Sequence, residues 1–150
     1  AAALESGKVK TYITDFATPE VMAMKNAIVL PHLGASTEEA EENCAMMAVK
    51  ELRNYIENGN IVNSVNYPAC DMGICADGNS RVAVLHRNVP NMIAQITNLL
   101  GEAGINIANL TNKARGEFAY TLVDTEAPVD EAMAEKLAAI ESVCRVRVVK

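Results

Sequence analysis

No stretch of this sequence is long and apolar enough to span a bilayer as a helix, so no membrane partner is expected. The start, AAALESGK, lacks the charged, apolar and small-residue order of a secretion signal. It also lacks an initiating Met, and the chain is expected to be a piece of a longer one. Basic charge is scarce: 13 Lys and Arg stand against 19 Asp and Glu, for a net charge of -6. Without a basic patch to release counterions from phosphates, no nucleic-acid partner is expected. The four cysteines (Cys44, Cys70, Cys75 and Cys144) lack the close pairs and nearby His of a metal site. They read as reduced thiols of a cytoplasmic protein, with no metal bound. No Gly-x-Gly-x-x-Gly follows a strand pattern, so a pyrophosphate cradle is missing as well.

What remains is a globular composition. Half of the 150 residues are hydrophobic and 21% are charged, which suits one domain or a small domain with an appendage. The most organised stretch runs from Val84 to Ile107. A short apolar strand ends at His86, a Pro-led turn follows, and Met92, Ile93, Ile96, Leu99 and Leu100 recur at helical spacing. Pro90 suits a helix start, where its missing N–H costs nothing, and Gly104 ends the helix. His86, Asn88 and Asn106 fall at strand ends beside a helix N-terminus. Open amides there attract a carboxylate, while imidazole and amide groups can bond an ammonium or hydroxyl.

Taken in order, Val9–Thr14 and Asn26–Leu30 read as short strands, the second suited to a parallel sheet. Ser36 with Glu39 forms a capping-box pattern, and a helix over 36–59 carries an apolar face of Ala40, Cys44, Met47, Val49, Leu52 and Ile56. Residues 61–67 are extended. The run 68–80, with Pro68, Gly73 and Gly78, reads as a linker and domain boundary. Beyond it the order is strand 81–86, helix 91–102, strand 105–113, hairpin turn 114–117, strand 118–124, helix 129–140 and strand 143–149. This βαββαβ order predicts a ferredoxin-like domain with both helices on one face of an antiparallel sheet. Its other face would expose apolar side chains unless covered, which predicts homo-oligomerisation.

His86-Arg87-Asn88-Val89-Pro90-Asn91 with Gly104-Ile105-Asn106 resembles the signature of ACT domains, the small amino-acid-sensing modules. It is most similar to the ACT domain of the phosphoglycerate dehydrogenase family. That resemblance implies that His86, Asn88 and Asn106 bind an effector, L-serine or another small amino acid, at a domain–domain interface. Asn91 stands where the family has Gly, and Asn adopts left-handed φ more readily than other side-chain-bearing residues.

Leu30-Pro31-His32-Leu33-Gly34-Ala35-Ser36-Thr37, preceded by Thr14-Asp15-Phe16 and Glu20, resembles the end of a D-isomer-specific 2-hydroxyacid dehydrogenase. The resemblance implies His32 as the general acid/base and Glu20 as its carboxylate partner. It also implies Asp15 and Gly34 on the cofactor side, with Asp15 holding the carboxamide of NAD. Imidazole titrates near neutrality, and a protonated His can neutralise charge that builds on a reacting oxygen. No arginine matches the family's substrate-carboxylate clamp.

The expected fold is therefore α/β: the C-terminal remnant of a Rossmann-type dehydrogenase domain (1–67), a linker (68–80), and an ACT domain (81–150). The order of the two resemblances is that of phosphoglycerate dehydrogenases, implying an NAD-dependent enzyme of serine biosynthesis as the full-length protein and no turnover by this piece alone. Two other readings stand beside it: a non-enzymatic amino-acid-binding protein, and an ACT domain that serves only assembly.

Overall fold

The computed structural model describes residues 1–150, which form two compact units, Ala1–Ala45 and Met46–Lys150. The first holds helix α1 (Ala2–Glu5), strand β1 (Tyr12–Thr14), helix α2 (Pro19–Met22) and strand β2 (Ala27–Val29). β1 and β2 pair in parallel with Thr14 opposite Val29, so the residues after each strand emerge at one edge. Both strands are shorter than the sequence pattern suggests, and they form a two-stranded sheet. Helix α3 (Glu38–Asn58) begins in this unit and ends in the second. Its first-turn amide at Ala40 is capped by the Thr37 hydroxyl, one residue later than the Ser36 box expected. No α3 residue is buried, and Met46, Met47, Val49, Leu52 and Ile56 are exposed. The expected apolar face exists, and its large side chains are exposed.

The second unit centres on strands β3 (Ser80–Arg87), β4 (Ile107–Arg115), β5 (Phe118–Thr125) and β6 (Val143–Val148), ordered β4-β5-β3-β6 and antiparallel throughout. Helices α4 (Met92–Glu102) and α5 (Glu131–Ala138) cover one face. Val82, Val84 and Val123 meet Ile96, Leu100, Met133 and Leu137 there, a core built from period-2 strands and period-3.6 helices. This is the ferredoxin-like βαββαβ arrangement that the element order predicts. The Gly104 turn carries the helix-ending bond from the Ile105 amide to the Leu100 carbonyl, with Gly104 at φ 73°.

The other face, which would expose apolar side chains unless covered, is covered by the chain itself. Ala83, Leu85, Tyr120 and Leu122 pack against Ile61 and Cys70, with Tyr55, Tyr67 and Met72 around them. Residues 68–80 are correspondingly not a free linker, and the compact unit begins at Met46 rather than at residue 81. Ile61 and Cys70 form a β-bridge. Asn60, 2% exposed, donates to the Gly73 carbonyl and accepts from the Met72 amide. Fully buried Arg81 reaches both oxygens of Asp124, directly opposite on β5, and donates to the Asn58 and Gly73 carbonyls. These bonds fasten the strap 59–73 to the sheet. Gly59 makes the close approach possible: its φ is +72°, and a Cβ there would lie 3.1 Å from both Leu122 and Val149.

Candidate functional site

The parallel pair in the first unit brings two of the expected groups together. Asp15 and His32 leave the carboxyl ends of β1 and β2, the edge where α/β sheets place ligands. His32 Nδ1 lies 3.0 Å from Asp15 Oδ2, and the Phe16 ring packs edge-on at 4.8 Å between centroids. Glu20, expected to be the partner of His32, is not there. It sits in the first turn of α2, where its own backbone N–H and the Thr18 hydroxyl hold its carboxyl below the usual carboxylate range. The charge at a helix start satisfies its open donors, which is reason enough for a carboxylate at that position. Asp15, expected on the cofactor side, has its carboxylate engaged by His32 instead. Gly34 lies in open space, with nothing within 4 Å of a built Cβ, so it forms no close cradle. Neither β1 nor β2 leads into a glycine-rich helix start. The residues present do not fit a whole dinucleotide.

The second unit separates the other expected group. His86 and Asn88 lie at the end of β3, beside the start of α4. Asn106 precedes β4, whose Ile107 is paired with Thr125, itself opposite Ser80 at the start of β3. Six residues of strand separate these levels, about 20 Å at about 3.3 Å per residue. The three side chains cannot meet around one small ligand within a single chain.

Each is also held locally. His86 is 2% exposed, with Nδ1 2.8 Å from the Arg87 carbonyl and Nε2 2.9 Å from Thr121 Oγ1. The Thr121 hydroxyl donates to Oδ1 of exposed Asn112 at 2.9 Å, which extends the chain of polar contacts to edge strand β4. Because both ring nitrogens are occupied, His86 orients its strand end rather than presenting a free imidazole. Asn88 donates to the Gly116 carbonyl, which leaves its side-chain oxygen open. Asn106 donates to Glu126 Oε2 at 2.8 Å. Asn91 takes φ 69°, the left-handed turn that its position requires, and its side chain makes no capping bond. The leading amides of α4 are therefore uncapped by a side chain and open to an anion.

Sequence reading missed Thr121, Glu126 and the Arg81–Asp124 pair. All of these contacts join residues far apart in the chain, and only strand register brings them together. A further cavity of about 490 Å³ lies on the strap side, lined by Leu52, Tyr55, Ile61, Tyr67 and Leu85 among others. No group of His, Cys, Asp or Glu is arranged to hold a metal ion, and no helix is long and apolar enough to cross a membrane.

No family model matches the chain. Over 119 residues it is 31% identical to the D-3-phosphoglycerate dehydrogenase of Escherichia coli K12, covering 79% of this chain and 28% of that one. D-3-phosphoglycerate dehydrogenase 2 of Saccharomyces cerevisiae is 34% identical over 110 residues, 71% of this chain and 23% of its own. The Haemophilus influenzae enzyme of the same name matches 123 residues at 31% identity, 82% of this chain and 30% of its own. The chain thus spans less than a third of the length of these curated relatives. Among solved structures, the ACT domain from the GTP pyrophosphokinase of Chlorobium tepidum aligns at a TM-score of 0.42 and 16% identity, covering 49% of this chain and 99% of that domain.

Proposed function

We propose that this chain, a relative of the D-3-phosphoglycerate dehydrogenases over 71% to 82% of its length, is the C-terminal regulatory part of such an enzyme. The observation that carries the reading is the reach of the similarity. A match of 119 residues is longer than the unit Met46–Lys150, so it extends into the unit that holds His32 and Asp15. In the full-length protein the reaction would be NAD-dependent oxidation of 3-phosphoglycerate at C2, the entry to L-serine. The dinucleotide cradle would lie in the remainder of that protein, and the present chain would not turn over substrate alone. The exposed apolar side chains of α3 and of the first unit (Phe16, Ile28, Leu30) support a fit against further dehydrogenase structure. The four free thiols suit a cytoplasmic enzyme.

The second unit would be the sensor, taking L-serine or another small amino acid. Since Asn88 and Asn106 stand at opposite ends of the sheet, one ligand can engage both only when two copies face each other. The carboxylate would dock at the open amides of α4 in one copy, and the ammonium would meet Asn106 and Glu126 of the other. Homo-oligomerisation then follows from a divided site rather than from an open sheet face. Coupling between effector and turnover is ordinarily about 1–3 kcal/mol.

Thermal melting with millimolar L-serine, D-serine, glycine and alanine tests this, because selective binding to the folded state raises the midpoint. A rise with L-serine that Asn106→Ala abolishes supports the sensor. No rise with any of the four favours an assembly-only module.

A further inference from the structure

We infer that His86, Thr121 and Asn112 form a proton-linked switch: the charge on the buried imidazole of β3 decides which end of the Asn112 amide faces out from edge strand β4. The inference goes beyond the regulatory reading above and needs only the second unit, which holds all three residues. Three contacts carry it. His86 Nδ1 lies 2.8 Å from the Arg87 carbonyl, Nε2 lies 2.9 Å from Thr121 Oγ1, and Thr121 Oγ1 lies 2.9 Å from the Asn112 amide. A carbonyl only accepts, so Nδ1 carries a hydrogen in every state. Thr121 is fully buried and His86 is 2% exposed, so water cannot stand in for these partners.

Two arrangements give every contact one donor and one acceptor. In the first, the Thr121 hydroxyl donates to Asn112 Oδ1 and accepts from Nε2–H. The ring is then an imidazolium, and the Asn112 NH2 faces out. In the second, the hydroxyl turns to donate to a bare Nε2, and the Asn112 amide flips so that its NH2 donates to Thr121 Oγ1. The ring is then neutral, and the amide oxygen faces out. Gain of a proton at Nε2 therefore reverses the direction of both bonds beyond it. Asn112 is exposed and β4 is the outer strand of the sheet, so the reversal reaches the surface. A group docking against that edge meets N–H donors in the charged state and an acceptor in the neutral one.

No charged side chain is bonded to the ring. Arg87 lies over the Phe118 ring and pairs with Glu117, on the opposite face of the sheet. Strand alternation puts Lys113 and Arg115 of β4, and Arg145 of β6, on that same opposite face. The Cys144 thiol of β6 bonds to the Ser142 carbonyl. Helix α4 carries no charged side chain before Glu102, but its positive end lies beside this strand end. Glu131, Glu135 and Lys136 of α5, and Glu141 after it, are exposed. The switch is thus set by hydrogen-bond direction rather than by a counter-charge.

Side-chain NMR of the chain tests this. It has two histidines, so His86 is the ring signal that His32→Gln retains. Nitrogen-15 shifts follow the ring proton, and nuclear Overhauser contacts of the Asn112 NH2 follow the amide. Between about pH 5 and about pH 8.5, the range in which imidazole changes charge, Nδ1 should stay protonated throughout. The Asn112 NH2 should touch Thr121 only when the ring is neutral. Asn112→Leu leaves a hydroxyl that accepts from Nε2–H with no acceptor for its own hydrogen. His86 should then bind its proton about threefold to tenfold more weakly, the worth of one hydrogen bond. Thr121→Val should uncouple the Asn112 amide from the ring, and backbone amide spectra establish that each variant keeps the fold. An Asn112 amide with one orientation on both sides of the His86 titration overturns the switch. So does a ring that holds one protonation state across the whole range, a neutral His86 in the Nε2–H form, or an unchanged proton affinity in Asn112→Leu.

Discussion

Replacing Arg81 with Met should destabilise the second unit by about 3–5 kcal/mol, the usual cost of leaving one partner of a buried ion pair alone. Arg81 is fully buried, and the Asp124 side chain is 8% exposed. The bonded carboxylate of Asp124 holds the guanidinium proton even more firmly than usual. The substitution strands that carboxylate and removes the donors of the Asn58 and Gly73 carbonyls, each a further penalty of about 1–3 kcal/mol if water cannot reach it. For a unit of this size each kcal/mol moves the melting midpoint by about 4–8 °C, so a fall of at least about 12 °C is expected. The double variant Arg81→Met with Asp124→Leu should recover about 2 kcal/mol or more, since the orphaned charge is gone. It should stay below wild type, because the two carbonyls still lack donors. Urea unfolding followed by circular dichroism measures both, and hydrogen exchange at the Met72 amide reports whether the strap has lifted. A single-variant cost under about 1 kcal/mol, with the two substitutions additive, would refute the reasoning.

Gly59→Ala should cost about 1–3 kcal/mol, since φ +72° and contacts of 3.1 Å to Leu122 and Val149 both oppose a methyl group. Gly101→Ala, within α4 and in open space, should stabilise by about 0.5–1 kcal/mol in the same urea assay. Among the thiols, exposed Cys44 and Cys144 should react promptly with a disulfide reagent at pH 8, and buried Cys70 and Cys75 only on unfolding. Burial pushes the Cys70 thiol from its ordinary 9.0 to about 11. The folded state therefore holds this proton more tightly than the unfolded one. The corresponding stability is complete below pH 9 and lost as the pH rises through 11, so melting midpoints should fall across that window and fall less in Cys70→Ala.

The four-stranded sheet was legible because its signals are local. Val82, Val84, Ile96, Leu100, Met133 and Leu137 repeat at strand and helix periods, and all are buried where those periods put them. Asn91 in the left-handed turn belongs to the same class. The strap was illegible for the opposite reason. Its Pro and Gly composition is that of a linker, and what fastens it is a guanidinium eight residues or more away bonding to main-chain carbonyls, to which hydropathy is blind. Asp15 and Glu20 lie five residues apart, and a sequence offset cannot say which carboxylate a helix start engages; in the structure Glu20 lies at the start of α2 and Asp15 lies against His32. Asn106 looked close to His86 because Gly104 ends the helix just before it. An antiparallel return over the length of α4 carries it to the far end of the sheet.

The proposed division of the effector site between two copies makes a prediction that no single-chain site can imitate. Asn88→Ala and Asn106→Ala should each lose serine binding as pure proteins. When the two are mixed in equal amounts and allowed to exchange copies, about half of the dimers are hybrids, and each hybrid has one site with both asparagines intact. Calorimetric titration of the mixture with L-serine should therefore recover about a quarter of the wild-type stoichiometry at wild-type affinity. If the exchanged mixture binds nothing while wild type binds, or if either pure variant binds at full stoichiometry, the site is not shared between two copies and the account fails.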